Sequence, residues 1–402
     1  MTAVAVTGIG AIAPNGKGTD AYWKSTVEGL SGIVPVSRFD ASGYPAKLAG
    51  EVPFDAAAHL PSRLIPATDH MTRLSLAAAE WALQDAGVDP AELPDFGAGV
   101  ITASSAGGFE FGQRELENLW SKGPKYVSAY QSYAWFYAVN SGQISIRHGM
   151  RGPSGVVVSD QAGGLDAIAQ TRRQIRKGTQ LIISGGVDGS LCPWGWVAQM
   201  TDTRMSTSDD PERAYLPFDP AAGGHVAGEG GALLVMEELE AARRRGARIY
   251  GEVAGYGATM DPRPGSSREP GLRRAIVTAL DDAGVNPDEV DVVFADAAAV
   301  PELDRIEADA IDAVFGPGKV AVTAPKTMTG RLAAGAASLD VAAALLAIRD
   351  GVIPPTVHVS RAPEYSIDLV TGAAREAQVR TALVLARGHG GFNSAVVVRA
   401  AR

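Results

Sequence analysis

Gly155-Val-Val-Val-Ser-Asp-Gln-Ala-Gly-Gly-Leu165 is the stretch from which the fold of this 402-residue chain can be read. Gly155 to Ser159 is a short β-branched run, which predicts a buried strand. Asp160 and Gln161 form a corner. Ala162, Gly163 and Gly164 carry almost no side chain, so another surface can approach closely. From Leu165 to Lys177 the periodicity is helical, with Leu165, Ile168 and Ile175 near one face, and Gly178 ends it. A residue at such a corner sits near a helix N-terminus, where unpaired N–H groups favour negative charge. A cysteine there has a lowered pKa and is a good nucleophile. This chain has Gln161, a neutral amide that donates and accepts hydrogen bonds but does not attack a carbonyl.

Outward from that corner, the pattern repeats. Val156-Val-Val-Ser159, small residues, then Leu165-Asp166 through Gly178 are echoed by Val320-Ala-Val-Thr323, Ala336-Ala-Ser, then Leu339-Asp340 through Gly351. Two strand–loop–helix units of one design predict a duplicated α/β fold with parallel crossovers. Further strands are expected near Ala3–Thr7, Val100–Ala103, Leu181–Val187, Ala232–Met236, Val292–Ala295, Thr381–Ala386 and Ser394–Arg399. Helices are expected near 20–29, 69–86, 238–245, 271–283, 303–314 and 339–349, with a loop carrying Trp194 and Trp196. Gly8-Ile-Gly10-Ala-Ile-Ala13 looks like a dinucleotide fingerprint, but Pro14-Asn15-Gly16 reads as a turn where that motif needs a helix.

Hydrophobic residues make up 46% of the chain, enough for a large core, and the net charge of −9 argues against nucleic acid as the default partner. The run Arg172-Arg173-Gln174-Ile175-Arg176-Lys177 reads first as a solvated helix face, with docking of an acidic partner such as a carrier protein as the alternative. One cysteine, Cys192, excludes an internal disulfide and fits a reducing cytoplasm; its apolar surroundings suggest a buried small hydrophobe. No signal peptide and no membrane span are read, and the six histidines show no metal-ligand spacing. Aromatic residues are only 6% of the chain, yet Phe109, Phe111, Trp120, Tyr126, Tyr130, Tyr133, Trp135, Phe136 and Tyr137 crowd one region. That crowding suits core, or a wall shared by a subunit interface and an apolar tunnel.

Taken together with Leu216-Pro-Phe-Asp219, Gly228-Glu-Gly, Val292-Val-Phe-Ala-Asp296, Pro325-Lys-Thr-Met-Thr-Gly-Arg331 and Gly390-Gly-Phe-Asn393, these features resemble the thiolase-like condensing enzymes, and within them the chain length factors of type II aromatic polyketide synthases. The resemblance covers essentially the whole chain. It implies two similar halves, 1–250 and 251–402, in a layered αβαβα body. Active members use a Cys and two His. The resemblance matches Gln161 to the Cys, and Asp296 to the His of His-Gly-Thr-Gly-Thr. It matches Arg331 to the second His, keeps the lysine as Lys326, and puts His389 where the family has the Phe of Gly-Phe-Gly-Gly. It thus implies a subunit with no intact catalytic set and no cofactor, paired with an active ketosynthase and served by an acyl carrier protein. Its partner would supply the chemistry, and a tunnel at their interface would limit the number of malonyl extensions. Phe109, Gly112, Leu116 and Tyr133 match the tunnel-lining segment, with Phe136 beside them. The small Gly112 and modest Leu116 imply a deep cavity and a long product. Gln161 has either a structural role or a part in decarboxylative priming. Asp296 and Arg331 either pair or face water separately. Two rivals stay open: an autonomous condensing or malonyl-decarboxylating enzyme of this fold, and a nicotinamide-dependent oxidoreductase built on Gly8 to Ala13.

Overall fold

The computed structural model describes residues 2–263 and 265–401. Ten of the twelve strands of its main sheet fall into two five-stranded portions of the same design, with Gly16–Lys17 added to one and Asp368–Leu369 to the other. The first holds β1 (Val4–Ala13), β2 (Ala98–Ser104), β3 (Ser154–Val158), β4 (Leu181–Asp188) and β5 (Gly230–Glu238), in the order β3-β2-β4-β5-β1. The second holds β6 (Gly251–Met260), β7 (Val292–Phe294), β8 (Ala321–Thr323), β9 (Thr381–Gly388) and β10 (Phe392–Arg399), in the order β8-β7-β9-β10-β6. In both portions the first two pairings of that order are parallel and the last two antiparallel. The portions meet through two residue pairs only, Ala5 with Glu252 and Val6 with Gly251.

Helices complete the layers. We label α1 (His70–Ala86), α2 (Phe109–Lys122), α3 (Gly163–Arg176), α4 (Pro193–Met200), α5 (Leu272–Ala283), α6 (Pro301–Phe315) and α7 (Ala336–Asp350). α3 and α7 follow the third strand of each portion and lie against each other between the two sheet portions. Residues 336–347 of α7 are all buried, as suits a central-layer helix, and the one charged residue among them, Asp340, is ion-paired with Lys326. α1 covers the outer face of the first portion and α5 that of the second. The small residues at the start of α3 work as expected: a Cβ on Gly164 would lie 2.9 Å from the Ser338 nitrogen.

The duplication reaches single residues. β1 carries a bulge between Val6 and Gly8, and β6 one between Val253 and Gly255. A Cβ on Gly8 would lie 2.2 Å from the Ala82 carbonyl oxygen, and one on Gly255 2.1 Å from that of Ala279. The next N–H in each case, of Ile9 and Tyr256, donates 2.9 Å to Asp85 and Asp282. Gly8 and Gly10 thus let a buried strand touch a helix backbone. The strand runs from Val4 to Ala13, a correction to the shorter expected one, and it turns back at once through Gly16–Lys17, so that the next helix starts only at Thr19. The dinucleotide reading of Gly8 to Ala13 therefore fails.

Three other expectations are corrected. β3 is an edge strand, only half-buried, with Val158 53% exposed; its apolar run marks a face left open on one side rather than a core strand. Trp194 and Trp196 lie on α4, which Pro193 opens at the first-turn position suited to proline. Arg172 is no solvated cation: it is 5% exposed, paired with Asp282 and bonded to the Ala254 carbonyl, tying α3 to the second sheet portion. Among the described residues, no helix is long and apolar enough to cross a membrane.

Candidate functional site

β3 leads to the corner, and α3 begins at Gly163 with Ala162 as its N-cap. Gln161 sits just outside the helix, half-buried, and among the described residues its carboxamide takes no intramolecular hydrogen bond. Asp160 beside it accepts the His389 N–H at 2.8 Å, which ties the corner to the β9–β10 turn. His389 itself is exposed.

Beyond the end of β7 lies Asp296, 3% exposed, and opposite it Arg331, 7% exposed. They form a two-pronged pair, Nη1 to Oδ2 at 3.0 Å and Nη2 to Oδ1 at 3.0 Å. Such a fork matches guanidinium to carboxylate geometry in a way lysine does not. The Arg387 N–H adds a third donor to Asp296 Oδ1 at 2.9 Å. Arg331 spends its remaining reach on the carbonyls of Asp296 and Arg387, both at 3.2 Å. Burial opposes the Asp296 charge, but Arg331 and Lys326 outweigh it and hold the carboxyl below its usual range. Burial likewise opposes the Arg331 charge, and Asp296 more than offsets it. Lys326 is also buried; its Nζ lies 2.7 Å from Asp340 Oδ2 on α7 and donates to the Ala295 carbonyl. Burial raises the Asp340 carboxyl, with Lys326 pulling the other way.

The loop that presents Asp296 is held in a shape alanine rarely takes. Ala297 (φ 52°) and Ala299 (φ 56°) are left-handed, as is Phe218 (φ 60°) in the neighbouring Leu216-Pro-Phe-Asp219 segment. Two carboxylates of α6 clamp all three. Glu307 accepts the N–H groups of Asp296 and Ala297 at 2.6 and 2.8 Å. Asp304 accepts those of Ala299 and Phe218 at 3.0 and 2.9 Å. The Tyr215 hydroxyl adds a bond to the Ala297 carbonyl at 2.9 Å. Burial pushes Asp304 up to about 7 and raises Glu307, which also feels Asp296. Asp304, Glu307, Asp340 and Arg387 escaped the sequence reading. The signal was there: four buried charged side chains must be paired, and the two on α6 stand three positions apart, on one helix face.

The aromatic region lies on α2, the turns after it and α4. Asp69, capping α1 through the Met71 N–H, also accepts the Phe111 N–H at 2.7 Å and so fixes the first turn of α2. Phe109 stacks on Trp194, ring centroids 4.5 Å apart and 24° between planes. A Cβ on Gly112 would lie 3.3 Å from Trp194 Cζ3 and 3.7 Å from Trp135 Cβ. Leu116 and Trp194 line an open cleft of about 660 Å³ with Gln113, Glu117, Trp120 and Ser121. The structure thus gathers Phe109, Gly112 and Leu116 around Trp194. Tyr133 meets Tyr130 and Phe136 meets Tyr137 in the adjoining segment, at centroid distances of 5.8 and 4.2 Å.

No thiolate is ready here. Cys192, at the N-cap of α4, is buried, and burial pushes its thiol up to about 11. The site holds a carboxamide at a helix mouth and a buried, hydrogen-bonded ion pair. This arrangement can bind and shape, but it offers no thiolate at the corner, and the positions matched to the two histidines carry Asp296 and Arg331 instead of imidazoles.

A family model described as the β-ketoacyl synthase N-terminal domain matches residues 1–242, and one described as its C-terminal domain matches 250–360. The tetracenomycin polyketide synthase ketoacyl synthase beta subunit of Streptomyces glaucescens is 60% identical over 400 residues, 98% of each chain. Among solved structures, the ishigamide ketosynthase/chain length factor is 30% identical with a TM-score of 0.88, and all of both chains aligned. A type II PKS acyl-carrier protein complex with its ketosynthase bound to the hexaketide matches at 25% identity and a TM-score of 0.88, again over all of both chains. The chain therefore belongs to the β-ketoacyl synthase family, on the branch formed by the beta subunits, or chain length factors, of type II polyketide synthases.

Proposed function

We propose that this chain serves as the non-nucleophilic half of a ketosynthase heterodimer and sets how many malonyl units the complex joins. The active partner supplies the cysteine and histidines, and an acyl carrier protein delivers the malonyl groups. The observation that carries this is the Asp296–Arg331 fork. It fills the positions matched to both catalytic histidines with charges that are buried, paired and hydrogen-bonded, so neither can move a proton or polarise a thioester carbonyl as imidazole does. Gln161 completes the loss, because a carboxamide forms no acyl ester or thioester. Lys326 holds the same corner together through Asp340 and the Ala295 carbonyl.

The rest of the reading concerns shape. Phe109, Gly112, Leu116, Tyr133 and Phe136 belong to the wall of the acyl tunnel and to the surface facing the partner; the approach of Phe109 and Gly112 to Trp194, which lines one cleft with Leu116, supports this. The halves 1–250 and 251–402 act as one body in which the first half carries the wall and the second the locked pair. A cytoplasmic site of action suits the single, reduced and buried cysteine. The autonomous-enzyme rival lacks support, since Cys192 is the one thiol and burial disfavours its thiolate.

The test is reconstitution with malonyl-loaded carrier protein. The purified chain alone should form no poly-β-ketone, and addition of the active ketosynthase should switch synthesis on. Gly112→Phe in that complex should shorten the product. Sustained condensation by the chain alone would reject the proposal.

A further inference from the structure

Glu115 is a charged residue on the buried side of α2, only 4% exposed and in company with the buried Phe111 and Gly112. A carboxylate so placed needs partners for its oxygens. Oε1 accepts the Arg114 Nε–H at 3.1 Å, and the Arg114 guanidinium lies 4.4 Å from the centre of the Phe111 ring. Oε2 accepts the backbone N–H of Ser128 at 2.7 Å, beyond the end of the helix. Burial opposes the charge of Glu115, but the Ser128 N–H and Arg114 outweigh it and hold the carboxyl below its usual range. Ser128 is where the aromatic segment takes its shape. Its hydroxyl oxygen accepts the Tyr130 N–H at 3.2 Å, and its carbonyl accepts the Gln131 N–H at 3.0 Å, opening the single helical turn Gln131–Ala134. Among the described residues, two hydrogen bonds join 126–137 to α2 and its N-cap. One is Ser128 to Glu115 near the start; the other runs from the Gly108 N–H to the Trp135 carbonyl, 3.0 Å, near the end.

We propose that Glu115 is a positioning residue for the subunit contact: by accepting the Ser128 N–H it holds the aromatic segment 126–137 in the shape that meets the active ketosynthase. This rests on the reading above that Tyr133 and Phe136 face the partner, and it names what holds them there. Tyr126, Tyr130, Trp135, Phe136 and Tyr137 are exposed in the single chain, so their rings gain little from packing on their own body. The segment is held by its backbone instead, and a hydrogen bond to an ionised carboxylate is of the stronger kind. A segment fixed before encounter spares the association its ordering cost. The role calls for an acceptor at position 115 rather than for a charge. Glutamine presents a carboxamide oxygen with the same reach, and leucine presents none.

The test uses Glu115→Leu and Glu115→Gln in the full chain. Two quantities are read for each: amide hydrogen exchange over residues 126–137, with α1 and α3 as internal controls, and the Kd for the active ketosynthase by titration. The proposal expects Glu115→Leu to speed exchange over 126–137 by about tenfold or more, because a hydrogen bond to a charged group is lost there. Exchange in α1 and α3 should stay as it was, and the heterodimer should weaken by about the same factor. Glu115→Gln should return both quantities close to those of the wild type. If Glu115→Leu leaves exchange over 126–137 unchanged, packing holds the segment, and the assignment is overturned while the partner reading stands. If the segment loosens and the Kd does not move, the segment is not the partner surface, and that reading falls together with this inference. Damage by Glu115→Gln equal to that by Glu115→Leu would show that the pairing with Arg114 is what counts, which overturns the positioning role. Faster exchange throughout the chain in Glu115→Leu would make Glu115 a residue of the core, which overturns it as well.

Discussion

On the function proposed above, Asp296 and Arg331 keep a site in shape without its chemistry. A buried ion pair gains little net stability against apolar residues of the same size, yet removing one partner strands a charge. Arg331→Met should therefore destabilise the chain by about 3–5 kcal/mol, read as a loss in denaturant or thermal unfolding. The double variant Asp296→Leu/Arg331→Met should recover most of it. Equal losses in both would mean that packing of the aliphatic stem, not charge, is what the pair contributes. Gln161, Asp296, Arg331 and Lys326 were legible in the sequence because each falls inside a stretch that carries the resemblance to the condensing enzymes. Their pairing was not, because 35 residues separate Asp296 from Arg331 and charge alone does not say whether two side chains are buried together. The contacts of Trp194, read from the sequence only as part of a loop, were hidden for a related reason. Its neighbours Phe109 and Gly112 lie more than 80 positions earlier, so no local pattern connects them.

The elements around the site depend on α6 and its two carboxylates. Unfolded, Asp304 titrates at 3.8; folded, at about 7, because burial disfavours its charge. The folded chain thus binds more protons than the unfolded one across this window, and stability falls as pH rises from 3.8 toward 7. Asp304→Asn should flatten that fall, measured as melting temperature against pH, with Glu307 contributing a residual slope. An unchanged profile would show that Asp304 is ionised in the folded chain at all these pH values. At this scale the sequence carries a second and tighter repeat. Asp85-Ala-Gly-Val-Asp-Pro-Ala-Glu-Leu93 and Asp282-Ala-Gly-Val-Asn-Pro-Asp-Glu-Val290 are near copies. Each ends a helix on a left-handed glycine, Gly87 (φ 59°) and Gly284 (φ 62°), and each aspartate reaches back to a bulged strand. This repeat fixes the duplication more tightly than the strand–loop–helix echo around Gly155 and Val320. The Gly-x-Gly pairs belong to it, which is why they resembled a cofactor fingerprint: both devices use glycine to bring backbones close.

Across the whole molecule, the open features gather on the first half. The free edge of β3, the exposed Val158 and the aromatic side chains from Trp120 to Tyr137 leave apolar surface uncovered in the single chain. Apolar patches with aromatic residues are the usual mark of a surface that meets another protein. The β-branched composition of Gly155 to Val158 could not tell a strand covered by its own chain from one covered by a partner, and so it read as core. The second half, by contrast, carries the locked pair and the clamped loop. A body divided in this way fits a subunit that shapes a reaction conducted next door. The most direct measurement is the intact mass of both subunits during turnover of the reconstituted heterodimer on malonyl-loaded carrier protein. The account predicts acyl adducts on the active ketosynthase and an unmodified mass for this chain. An acyl group covalently attached to this chain would contradict it.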